Sequence, residues 1–131
     1  MRHVVTDADT TESVGSGDVP LLSTPRLIAW MEAATVEAAA AFTATGRTTV
    51  GTAIRVEHLR ATPVGGSVEV AAEAPTAPAG RRLTFLLRTV DGSGALVATG
   101  ESTGRSSIAA GSSPRRPTPK RAADRPSARP L

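Results

Sequence analysis

The stretch TPRLIAWMEAATVEAAAAFTATGRTTVGTAIRVEH, residues 24–58, changes its hydrophobic period part-way along, and that change decides the fold. In its first half Leu27, Ile28, Met31, Ala34, Thr35, Ala38, Ala39 and Phe42 recur at the three- and four-residue spacing of a single helix face. The start is marked by Thr24 and Pro25. Threonine at an N-cap accepts a hydrogen bond from an otherwise unpaired amide, and proline at the first helical position has no amide to leave unpaired. Gly46 ends the pattern, so the spacing predicts a helix over residues 25–44, about 30 Å long at the helical rise per residue. After Gly46 the period becomes two. Thr48, Val50, Thr52, Ile54, Val56 and His58 share one face of a strand, and Thr49, Gly51, Ala53, Arg55 and Glu57 share the other.

Outward toward the C-terminus, Pro63, Gly65 and Gly66 make a turn before a second strand at residues 67–74. A third strand at 82–90 is joined through Asp91, Gly92, Ser93 and Gly94 to a fourth at 95–102, as a hairpin. One long helix followed by an antiparallel meander predicts an α+β domain over residues 14–104, with the helix packed on one face of the sheet. Residues 14–23 read as an irregular entry to the core, and residues 1–13 as a flexible lead-in. Residues 105–131 are rich in Ser, Arg, Pro and Ala without apolar alternation, and read as a disordered basic tail.

Composition narrows the function. Trp30, Phe42 and Phe85 are the only aromatics, so the core is built from aliphatic side chains and is thin, which favours association through an apolar face. The formal charge of +3 is unevenly spread: residues from Arg105 onward carry +6 and residues 1–104 carry −3. A nucleic-acid surface needs basic groups and stacking platforms on a folded face, and the body has neither. With no cysteine, disulfides and thiolate metal sites are excluded, and no metal site is expected. No apolar run approaches a membrane span or a secretory signal, so a cytoplasmic protein without a membrane partner is expected.

Within residues 14–65 the sequence resembles the hotdog thioesterases related to fluoroacetyl-CoA thioesterase. The resemblance is carried by Gly-Ser-Gly-Asp-Val-Pro at Gly15 to Pro20, Thr-Pro at Thr24, Glu32 on the helix, Val-Gly-Thr at Val50 to Thr52, and Val-Glu-His-Leu with Ala-Thr-Pro-Val-Gly at Val56 to Gly65. It extends over residues 5 to about 100. It implies a hotdog fold, a homodimer with two sites at its interface, an acyl-CoA or acyl-carrier substrate, and a catalytic set of Thr24, Glu32 and His58 with Gly51 beside the thioester. No cofactor is implied, since coenzyme A enters as part of the substrate.

Each residue type suits that chemistry. A thioester needs attack at its carbonyl, donors for the developing oxyanion and a route for the proton that ends on the thiolate. Glu32 can be nucleophile or base, His58 can carry the proton near neutrality, Thr24 can orient water or the carbonyl, and Gly51 leaves the backbone open to the substrate. Read singly, the same residues are a helix cap, a solvated carboxylate, a core histidine and a strand bulge. Along a straight helix Thr24 and Glu32 stand about 12 Å apart and about 80° around the axis, so they do not touch within one helix. Either they flank an elongated substrate or one site draws on two subunits. Arg47 and Arg60, with Arg55, Arg81 and Arg82, are candidate partners for the phosphates of coenzyme A. A non-catalytic acyl-CoA-binding protein and a hotdog hydratase are the alternatives to a hydrolase. A fitted lid over a tiny fluorinated acyl group is not expected, because residues 1–23 hold no aromatic side chain.

One departure from the family pattern stands out: the last strand stops at about Ser102. Gly100 to Pro114, back-translated with GC-rich codons and read two bases later, gives Arg-Val-His-Arg-Ala-Leu-Val-Asp-Arg-Gly-Arg-Phe-Leu-Ala. That string looks like the family's final strand and C-terminal turn, which makes a frameshift near codon 100 an explanation for the tail.

Overall fold

The computed structural model describes residues 1–40, 47–74 and 82–108, and of residues 47–49 and 106–108 it describes the backbone alone. Five strands form one antiparallel sheet: β1 (Arg2–Val4), β2 (Arg47–His58), β3 (Ser67–Glu73), β4 (Arg82–Asp91) and β5 (Leu96–Ile108). Their spatial order is β1-β3-β4-β5-β2. The predicted meander therefore holds only for the last three strands, and β2 closes the sheet on the far side of β5. The long helix, α2 (Thr24–Ala39), lies across one face of this sheet, giving the expected α+β architecture.

Leu27, Met31, Ala34, Thr35 and Ala39 are buried on α2, which matches the predicted apolar face; Phe42 lies outside the described residues. Leu27 and Met31 pack with Val68, Val70, Leu87, Val97 and Ala98 from the sheet, while Phe85 and Leu83 pack with Ala39 nearer the helix end. The cap differs from the prediction. Ser23, wholly buried, is the N-cap, and its hydroxyl accepts from the Arg26 amide at 3.1 Å. Thr24 is thus the first helical residue, and its hydroxyl is not used in capping.

Residues 1–13 are part of the domain. β1 pairs with the edge of β3, a 3-10 turn follows at Asp7–Asp9, and the short helix α1 spans Thr11–Val14. The reading of a flexible lead-in overlooked one anchor: His3 stacks on Trp30 of α2, with ring centroids 4.2 Å apart.

β5 also runs further than expected, to Ile108 rather than Ser102, paired throughout with β2. Ladder hydrogen bonds need no side-chain alternation, and small residues admit the close approach of the two strands. At Gly100 a Cβ would collide with the carbonyl oxygen of Arg55, so only glycine fits there. Residues 105–108 thus belong to the sheet, and the rest of the predicted tail lies outside the described residues. No described helix is long and apolar enough to cross a membrane.

Candidate active site

β2 carries an irregularity between Gly51 and Ala53, where Thr52 is inserted without a partner on β5. Such a bulge shifts the alternation of the strand by one residue. Gly51 pairs with Gly104, Ile54 with Ser102 and His58 with Ala98, and these three β5 residues are buried on the helix side. Gly51 therefore faces the helix together with Ile54, Val56 and His58, whereas unbroken alternation had put it on the opposite face. The bulge reading of this segment is correct, and the bulge brings Gly51 beside Glu32. A Cβ at Gly51 would stand 3.3 Å from Oε2 of Glu32.

Glu32 and Gly51 share a cavity of about 50 Å³ with Thr35, Val36, Val50, Phe85, Ser102 and Gly104. Val36 and Val50, on its rim, are 54% and 52% exposed.

Thr24 and His58 meet elsewhere. The Thr24 hydroxyl lies 2.8 Å from Nδ1 of His58, a hydrogen bond in which either atom can be the donor. It forms because Ser23 has taken over the cap. The second ring nitrogen, Nε2, is buried and has no partner among the described residues. Burial pushes the His58 pKa below the ordinary imidazole value, against a smaller opposing effect of the Arg60 backbone. The ring is then neutral at pH 7, and Nδ1, where Thr24 stands, is the nitrogen that reaches the open cleft. That cleft, about 280 Å³, is lined by Thr11, Val19, Leu21 and Leu22 on one side and Leu59, Arg60 and Ala61 on the other.

The four candidate residues thus form two separate pairs, or candidate half-sites. Thr24 with His58 lies at one end of the helix–β2 contact and Glu32 with Gly51 at the other, about 12 Å along the helix axis. The seven-residue step from Gly51 to His58 spans about 23 Å of strand. Of the candidate arginines, Arg60 lies at the mouth of the His58 cleft. Arg55 does not: it projects from the opposite face and pairs with Glu101 at 3.4 Å. Arg82 opens β4 and lines neither half-site, the side chain of Arg47 is outside the described residues, and Arg81 lies outside them altogether. Sequence reading missed Ser102 and Val36 as walls of the Glu32 cavity; the β2–β5 register, invisible in a single sequence, puts Ser102 there.

The family model for the fluoroacetyl-CoA-specific thioesterase matches residues 5–105. The chain belongs to this family. It is a thioester hydrolase of the hotdog fold, in agreement with the resemblance read from the sequence. Among solved structures, a mutant of the fluoroacetyl-CoA-specific thioesterase FlK in complex with fluoroacetate and CoA is 28% identical, with a TM-score of 0.72, over 81% of this chain and 86% of that one. A thioesterase superfamily member from Thermus thermophilus superposes with a TM-score of 0.75 at 23% identity, over 82% of this chain and 79% of that one. A hypothetical thioesterase from Streptococcus pneumoniae, solved with coenzyme A, shares the fold at a TM-score of 0.69 and 9% identity, over 82% and 78% of the two chains. No curated protein matches the chain.

Proposed function

We propose that the protein hydrolyses a small acyl-CoA or acyl-carrier thioester, and that each of its sites joins Glu32 and Gly51 of one subunit to Thr24 and His58 of another. The separation of the two half-sites within one chain carries this reading. A thioester carbonyl and its sulfur are bonded neighbours, so the groups that attack one and serve the other must converge within hydrogen-bond reach. Half-sites about 12 Å apart on one helix do not converge.

The free edge of β2 supplies the remedy. β2 is the last strand in the sheet order, so its outer ladder is unpaired among the described residues. Antiparallel pairing with a second copy about a dyad midway between Ile54 and Arg55 brings Gly51 close to His58 of the partner subunit. A twofold contact of this kind builds two equivalent sites. It also covers Val36 and Val50.

In such a site Glu32 attacks the carbonyl carbon, the carbon–sulfur bond breaks and the thiolate departs. Water then hydrolyses the acyl group from the carboxylate. Its proton passes through the Thr24 hydroxyl to Nδ1 of His58 and on to the thiolate, so one water is consumed and free acid and thiol are released. Arg60, exposed at the cleft mouth, is placed to meet a phosphate of coenzyme A. The reaction calls for no cofactor, and a cytoplasmic homodimer is the form in which it runs.

The test is thiol release from a panel of acyl-CoA thioesters. Turnover should be fastest with short acyl groups, given the small cavity beside Glu32; a panel without thiol release, or with hydration of an enoyl-CoA instead, overturns the reading. The pH profile offers a second check. Because the neutral imidazole receives the proton and burial lowers its pKa, kcat/KM should fall on acidification with its midpoint below the free-imidazole value. An acid limb centred above 6.5 would contradict the assigned direction.

A further inference from the structure

In one wall of the His58 cleft, Val19 is held by a side chain that the chemistry does not use. The Thr11 hydroxyl donates to the Val19 carbonyl at 2.6 Å and accepts from the Val19 amide at 3.1 Å. The Thr11 carbonyl accepts from the amides of Gly15, Ser16 and Gly17 at 2.9, 3.0 and 3.2 Å, and its own amide donates to the Leu21 carbonyl at 2.9 Å. Nothing bulkier than glycine sits easily at residue 17, where a Cβ would stand 3.0 Å from the Thr11 oxygen. The loop from Gly15 to Leu21 is thus folded round Thr11 and presents Val19, 43% exposed, toward the cleft that Leu59, 56% exposed, lines from the other side.

We infer that Thr11 is a positioning residue: by holding both backbone groups of Val19 it sets the width of the cleft leading to Thr24 and His58, and so the affinity for the thiol arm of the substrate. This rests on the thioesterase reading for the identity of the ligand. A flexible segment that must be ordered on binding costs affinity, whereas a wall ordered beforehand does not. Thr11 touches no reacting atom in this scheme, so its loss should weaken binding and leave the chemical step nearly intact.

Thr11→Val keeps the shape of the side chain and removes both hydrogen bonds; Thr11→Ser keeps them. The readouts are the Kd of a non-hydrolysable S-alkyl-CoA thioether and the KM and kcat for the matching acyl-CoA. Thr11→Val should raise Kd and KM by about tenfold, the size expected when two hydrogen bonds that order a binding wall are lost, with kcat changed by less than about twofold and Thr11→Ser close to wild type. Equal Kd in all three proteins overturns the inference, as does a fall in kcat at unchanged Kd. A wild type that binds the thioether tightly but releases no thiol sinks the hydrolase reading instead, and the Kd comparison still decides the role of Thr11. Failure of the wild type to bind the thioether overturns both.

Discussion

Co-expressed Glu32→Ala and His58→Ala chains should recover about a quarter of wild-type turnover, although each variant alone is reduced by roughly a hundred- to ten-thousand-fold. Random pairing makes half of the dimers mixed. In a mixed dimer one site receives both lesions and the other receives none, because the glutamate of each site comes from one subunit and the histidine from the other. Sites built within a single chain would give no recovery at all, since every chain in the mixture is defective. The measurement is thiol release per total chain, after size-exclusion chromatography has shown dimers of normal size. The outcome separates a composite site across two subunits from an extended substrate bridging one chain. Within one chain Gly51 approaches Glu32, Thr24 approaches His58, and each pair is partly open to solvent.

The helix and the strands after it could be read in the sequence because their hydrophobic periods are clean and the core they build is aliphatic. The bounds of β2, β3 and β4 fall within a residue or so of the expected positions, as the alternation in Leu83, Phe85 and Leu87 is strict. Three features escaped, each for a definite reason. Arg2–Val4 is too short for a period to show, and its place in the sheet depends on β3 and on the stacking of His3 with Trp30, contacts distant in sequence. The end of β5 is Ser-, Thr- and Gly-rich and has weak strand propensity of its own; the β2 ladder orders it. A bulge near Gly51 was expected, but that Thr52 is the inserted residue depends on the pairing with β5, and it is this placement that turns Gly51 toward Glu32.

The candidate residues themselves were nominated by resemblance, and what sequence reasoning could add was the role of each. There the cap is instructive. Both Ser23 and Thr24 are good N-cap residues, and the choice between them depends on which one the fold buries.

That choice gives the second prediction. If Thr24 were the helix cap, its replacement by Val would destabilise the protein by about 1 kcal/mol and affect turnover only indirectly. Since Ser23 makes the capping bond, Thr24→Val should leave the thermal midpoint within about a degree or two of wild type, the scale of a change well under 1 kcal/mol for a domain of this size. Ser23→Ala should lower it by several degrees. Turnover should behave the other way round. Nε2 of His58 is enclosed, so the only route from the cleft to the imidazole runs through Nδ1, and the Thr24 hydroxyl occupies that route at 2.8 Å. Removing it interrupts the proton path and should cost roughly a hundred- to a thousandfold in kcat. Thr24→Ser, which keeps the oxygen, should retain most of the activity, and His58→Ala combined with Thr24→Val should be little worse than His58→Ala alone, because the two act as one unit. Additive losses in the double variant would mean that the hydroxyl works independently of the imidazole, and a Thr24→Val enzyme with normal kcat would remove Thr24 from the chemistry and return it to the helix.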